Sequence, residues 1–170
     1  MRLLFSALAL LCSILPALAA GAAAWTPYGN AHFGYWIDIP PGFACGPEAD
    51  DSDGKSCQSA GGAKLSVWGG YTGVVSDDGF TGEVKFDRDT DADHGLAVTY
   101  QKTMPHWAVY SGTREGHIVY VRMIDGCKGG RYAAFQLDYL PADSHAIEPL
   151  IARLATSLKQ RTCDETTGSN

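Results

Sequence analysis

The sequence predicts an α+β fold: an antiparallel β-sheet of about six or seven strands with a C-terminal helix packed on it. Three observations predict it. Leu96 to Tyr139 divides into four apolar/polar alternations joined by short connections. Ile147, Leu150, Ile151, Leu154 and Leu158 then form one apolar stripe at helical spacing. Upstream, Phe33, Tyr35, Ile37 and Ile39 alternate with Gly34, Trp36 and Asp38 at period two.

The first segment reads as an export signal rather than part of the fold. Met1-Arg2 is a short basic start, and Leu3 to Leu15 is apolar and uncharged. Pro16 breaks the run, and Ala17-Leu18-Ala19 supplies the small-x-small pattern a signal peptidase needs. The run is too short to span a bilayer. Residues 1–20 are therefore expected to be cleaved, with Ala24 the last position at which the cut could fall, leaving one domain of about 150 residues. The chain carries a formal charge of −6. Loss of Arg2 and no acid takes it to −7. An acidic chain with no basic cluster argues against a nucleic-acid partner. No later stretch is apolar enough for an integral membrane segment.

Ala22 to Asn30 reads as an irregular lead-in. The strand through Ile39 ends at Pro40-Pro41-Gly42, since two prolines cannot donate to a ladder. Ala44 to Lys55 reads as a polar loop. Lys55 to Ser59 and Ala63 to Trp68 make a hairpin around Gly61-Gly62. Gly69 to Gly95 is rich in glycines that read as turns, with a second short helix over Asp77 to Arg88, capped by Asp77 or Asp78.

The meander follows. Leu96, Val98 and Tyr100 alternate with Ala97, Thr99 and Gln101, and Pro105 marks the next turn. Trp107, Val109 and Ser111, then Val119, Val121 and Met123, then Phe135, Leu137 and Tyr139 carry the next three strands. Short connections make neighbours antiparallel. Asp143 and Ser144 are candidate caps of the last helix. Pro149 leaves two readings: the helix starts there, or it starts at Ser144 and contains the proline. Residues 164–170 read as a disordered tail closing a domain that spans 25–163.

Four cysteines follow the export signal: Cys45, Cys57, Cys127 and Cys163. An even count in an exported chain reads as disulfides, with three pairings possible. Cys45–Cys57 with Cys127–Cys163 is preferred; chain entropy assigns roughly 3 and 4 kcal/mol to the two closures. No Cys-x-x-Cys occurs, and no His stands at ligand spacing, which removes the zinc reading.

Phe33-Gly34-Tyr35, Ile37-Asp38-Ile39-Pro40, Asp53-Gly54, Leu65-Ser66-Val67-Trp68-Gly69, Val98-Thr99-Tyr100, Trp107, Ser111-Gly112 and Ala152-Arg153-Leu154 with Ser157-Leu158 resemble a group of small, uncharacterised exported proteins of proteobacteria. The order of elements and the early strand are distantly similar to the PsbP/Mog1-like fold. That resemblance implies an antiparallel sheet flanked by helices on both sides, and an accessory or binding role. It carries over no catalytic residue.

Local chemistry is sparse. Asp87, Asp89, Asp91 and Asp93 are candidate calcium ligands, because a hard cation wants several oxygens from one loop. The EF-hand pattern fails, with His94 at the glycine position and Tyr100 at the final glutamate, so the run reads as a solvated loop. Asp50, Asp51, Asp53 and Gly54 fail likewise, since Ala49 and Ala60 occupy ligand positions. Ser52-x-x-Lys55 matches a nucleophile motif that works on a helix, but Gly54 and the acids place it in a loop. His32, His94, His106, His117 and His145 have no partner at i+4. Trp25, Trp36, Trp68 and Trp107 offer stacking surfaces for sugars, or simply cross-strand packing.

The sequence thus points to a monomeric, periplasmic or secreted, non-catalytic binding or accessory protein for an envelope protein or small ligand, with no cofactor. Two alternatives stand: a small periplasmic hydrolase assembled in space, and a calcium-binding envelope protein. The loops Ala44–Ser56 and Gly69–Gly95 are the expected seats of function.

Overall fold

The computed structural model describes residues 24–126 and 130–160. Ten strands and two α-helices occur among them: β1 (Thr26–Asn30), β2 (Tyr35–Ile39), β3 (Phe43–Glu48), β4 (Gly54–Ser59), β5 (Lys64–Tyr71), α1 (Gly79–Asp93), β6 (Ala97–Met104), β7 (Trp107–Arg114), β8 (His117–Asp125), β9 (Arg131–Tyr139), α2 (Ser144–Ser157) and β10 (Lys159–Gln160). A 3-10 turn, Pro141–Asp143, leads into α2.

The expected single sheet is two. β3-β4-β5-β9-β8-β7-β6 form a seven-stranded sheet, and β1-β2-β10 a three-stranded one. Every described pairing is antiparallel. The predicted meander is β6 to β9, and the β9 end of it pairs with β5.

Strand alternation sends side chains to two faces, and each face has its own core. On one, Leu65 and Val67 of β5 and Phe135, Leu137 and Tyr139 of β9 pack with Tyr28, Tyr35, Ile37 and Ile39 of the small sheet and with Ile147, Leu154 and Leu158. Here the predicted stripe of α2 meets the sheet. On the other, Phe80 and Val84 of α1 pack with Leu96, Ala108, Tyr110, Val119, Val121, Met123, Tyr132 and Ala134. Helices therefore flank both faces, and an α+β fold with a second helix is what the chain adopts. Fully burying a Leu, Val or Phe contributes about 1.5–3 kcal/mol each, so the two cores dominate the favourable terms.

Several stretches differ from expectation. The lead-in is in part a strand, β1, with Tyr28 and Asn30 turned inward; Pro27 is tolerated because β1 is an edge. The first part of the expected loop, residues 44–48, lies in β3, also an edge, whose residues are largely exposed and so lack the alternation that marks a strand. Gly69 and Gly70 are not turns but the continuation of β5. A Cβ at Gly69 would run into Phe33, and one at Gly70 into the Tyr132 ring, so the two glycines let aromatic rings lie directly on the strand.

The acidic stretch from Asp87 to Asp93 is helix rather than loop, because α1 runs five residues past Arg88. It stops at Gly95, whose φ of +89° lets the N–H groups of His94, Gly95 and Leu96 turn back onto the last carbonyls. Asp78 takes the N-cap position without a side-chain capping bond. At the other helix, the choice left open by Pro149 resolves to a start at Ser144 with the proline inside.

Candidate functional site

Of the loops expected to carry function, the one between β3 and β4 is held most firmly. Cys45 and Cys57 stand directly opposite in the β3–β4 ladder and form a disulfide. Beyond them the ladder shifts register toward Glu48, and residues 49–53 form the turn. The small sheet grips this turn from below. Asn30 Nδ2 donates to the Ser52 carbonyl oxygen at 2.8 Å, and the Tyr35 hydroxyl to the Asp53 carbonyl oxygen at 3.0 Å. The Tyr28 hydroxyl donates to Glu48 Oε1 at 2.9 Å. Asn30 is buried, and its Oδ1 also accepts the Phe33 N–H at 2.8 Å, closing the turn after β1. Ser52 is left at φ +58°, a left-handed conformation that these bonds maintain.

The gripped loop forms one wall of a cleft of about 520 Å3, lined by Glu48, Asp50, Asp53, Ser56, Ser66 and Trp68 among others. Ser56 and Ser66 are opposed on β4 and β5, with hydroxyl oxygens 3.3 Å apart. Burial, and then the neighbouring Asp51, raise the Asp53 carboxyl above its ordinary range. Burial raises the hydroxyls of Tyr35 and Tyr28 as well, so both remain neutral donors. Asp50 and Asp53 make this wall acidic, while Lys55 also lines the cleft and the Glu48 carboxylate is engaged by the Tyr28 hydroxyl.

The other expected site residues scatter. The acid run is divided by the helix. Asp89 pairs with Lys85 at 2.7 Å and Arg88 at 2.7 Å on the outside. Asp91 accepts from the Tyr110 hydroxyl at 2.8 Å and from Arg114 Nη1 at 3.1 Å on the sheet side. Burial, reinforced by Glu83 and Asp91, pushes the Asp87 carboxyl up to about 7. Asp93 is exposed at the end of α1. Among the described residues no cluster of three or more His, Cys, Asp or Glu could hold a metal ion. Ser52 and Lys55 share no helix face; Lys55 Nζ lies 4.2 Å from the Tyr28 ring centroid. Cys127 and Cys163 lie outside the described residues.

The histidines divide similarly. His117 Nδ1 stands 2.6 Å from Asp138 Oδ1, and His106 Nδ1 3.5 Å from Asp125 Oδ2. Arg114 and Asp91 extend the first pair into a chain linking β8, β9, β7 and α1. No histidine lines the acidic cleft or a second cleft of about 430 Å3 around Asp38 and Arg153. His94 contacts the Thr90 carbonyl at its own helix end, His32 lies against the Phe33 ring, and His145 is exposed on α2. Sequence reasoning missed Tyr28, Asn30 and Tyr35 as supports of the loop. Their inward alternation was visible in part, but nothing local says which loop they reach.

No helix among the described residues is long and apolar enough to cross a membrane. No family model matches the chain, and no curated protein matches it significantly. Among solved structures, a crystal structure of a protein of unknown function from Pseudomonas aeruginosa superposes loosely, with a TM-score of 0.42 at 17% identity over 81% of this chain and 97% of that one. The solution structure of cyanobacterial PsbP (CyanoP) from Synechocystis superposes with a TM-score of 0.60 at 16% identity, covering 89% of this chain and 99% of that chain. This likeness is one of fold: the chain adopts an α+β fold like that of cyanobacterial PsbP.

Proposed function

We propose that this is an exported, non-catalytic accessory protein that binds a cationic segment of an envelope partner in the acidic cleft between the β3–β4 loop and β5. The observation that carries the reading is the support of the loop by Tyr28, Asn30 and Tyr35. Buried side chains of one sheet hold a surface turn of another in a single conformation, which lowers the ordering cost of binding. Asp50 and Asp53 supply negative charge, and a bound ammonium or guanidinium would relieve the mutual repulsion of Asp51 and Asp53. The Cys45–Cys57 disulfide supports an oxidising compartment, as does the export signal read in residues 1–20. A monomer located in the periplasm or secreted fits these features.

The test is a titration of the protein with a lysine-rich peptide and with its glutamate-rich counterpart. The lysine peptide is expected to bind and to weaken about tenfold in Asp50→Asn/Asp53→Asn. Equal binding of the two peptides, or an unchanged affinity in the double variant, rejects the reading. The hydrolase alternative has His117–Asp138 as its best pair. It requires hydrolysis of a generic ester that His117→Ala abolishes.

A further inference from the structure

Each face of the seven-stranded sheet is covered only in part. On the face that carries α2, the core lies over β4, β5 and β9. Toward the β6 edge the same face is exposed at Tyr100, Lys102 and Met104. The register fixes what lies there. Met104, Trp107 and Ile124 form one row, Lys102, Val109 and Arg122 the next, and Tyr100, Ser111 and Tyr120 the third. Residues directly opposed in neighbouring strands point the same way, so these side chains form one surface. The contacts agree: Arg122 Cζ lies 4.9 Å and Lys102 Nζ 5.5 Å from the Trp107 ring centroid.

The surface is unusual in its charge. The chain is acidic, at −6, yet none of the three rows contains a carboxylate. Among the described residues, neither Lys102 nor Arg122 makes an ion pair within 4.0 Å. The Arg122 guanidinium lies over the indole, and its buried Nε has no hydrogen-bond partner. Tyr100 is 52% exposed. Its row also holds Ser111 and Tyr120, both half-buried, whose hydroxyls can donate.

We infer that the β6–β8 surface of Tyr100, Lys102, Trp107, Ser111, Tyr120 and Arg122 binds a carboxylate-bearing saccharide. The two cations take the carboxylates, Tyr100 offers a ring face for the apolar side of a sugar, and Ser111 and Tyr120 serve sugar hydroxyls. The chemistry does not suit a nucleic acid or an anionic membrane. A nucleic acid needs several phosphate contacts on a basic surface, and an anionic membrane surface needs clusters of about 4–8 Lys or Arg. Two cations beside aromatic rings suit sparse negative charge on a repeating, hydroxyl-rich polymer. The site lies at the opposite end and on the opposite face of the sheet from the acidic cleft, and is independent of it.

The experiment is a titration of the whole protein with an oligogalacturonate, followed by calorimetry and by tryptophan fluorescence. Saturable binding is expected, weakening in about 0.5 M salt and lost by about tenfold or more in Lys102→Glu. Tyr100→Ala should lose affinity several-fold, and Asp50→Asn/Asp53→Asn should lose none. Lys102 and Tyr100 are exposed, so both variants should keep the wild-type melting temperature. No saturable binding overturns the inference. So does unchanged affinity in Lys102→Glu, equal binding of neutral maltohexaose, or tighter binding of a glutamate-rich peptide, which would assign the surface to a protein.

Discussion

Asn30 donates from Nδ2 to the carbonyl oxygen of Ser52, 22 residues away in the turn that joins two strands of the other sheet. This one amide joins the turn after β1 to the loop that walls the acidic cleft, because its Oδ1 holds Phe33 N–H at the same time. Removing it leaves a donor and an acceptor without partners in a buried setting. Asn30→Ala should therefore lower unfolding stability by roughly 2–4 kcal/mol. Its lysine-peptide affinity should fall as well, since the loop loses its support. Chemical denaturation and the peptide titration check both. A stability loss with unchanged affinity would separate the amide from the cleft.

Asp87 and Glu83 lie one turn apart on α1, and each has a buried carboxylate oxygen with no hydrogen-bond partner. Burial raises both carboxyls, Asp87 to about 7 from the ordinary 3.8. The folded state holds the Asp87 proton more tightly than the unfolded chain does. Its stabilising contribution is complete below 3.8 and disappears as pH rises through about 7. Asp87→Asn removes this titration. The variant should match wild type near pH 4 and exceed it by roughly 1–3 kcal/mol near pH 8, after allowance for water entry. Thermal melts across that range check the sign; a difference independent of pH would refute it.

The Cys45–Cys57 disulfide closes a short loop, 12 residues apart in sequence, across an edge hairpin. Chain entropy assigns it about 3 kcal/mol at most. Cys45→Ser/Cys57→Ser should lose that much or less in urea unfolding. Amide exchange should quicken first in β3, the edge strand, while β8 and β9 stay protected. Uniform loss of protection would contradict a local role.

Calcium should leave the melting temperature unchanged relative to chelator. The reason is geometric: α1 turns Asp89 outward to Lys85 and Arg88 and ties Asp91 to Tyr110 and Arg114. Ligands engaged on two sides of a helix cannot converge on one cation. A shift of several degrees in calcium would restore the calcium-binding alternative.

The sequence by itself determined the α+β class, the four-strand meander and the amphipathic C-terminal helix, and it favoured Cys45–Cys57 among three pairings that the structure then decided. Those features are written locally: period-two alternation on strands with one buried face, period 3.6 on α2, and short connections that force neighbours to pair. Only the tertiary structure decided that β1 and β3 are strands. Edge strands bury little: β1 turns only Tyr28 and Asn30 inward, and β3 shows no alternation to read. It also decided that Gly69 and Gly70 run straight, because the rings that require them come from β2, β9 and the turn before β2. The acidic cleft and the Lys102–Trp107–Arg122 cluster were invisible in the chain for the same reason. Their residues meet across neighbouring strands, and the register of those strands selects which side chains share a face.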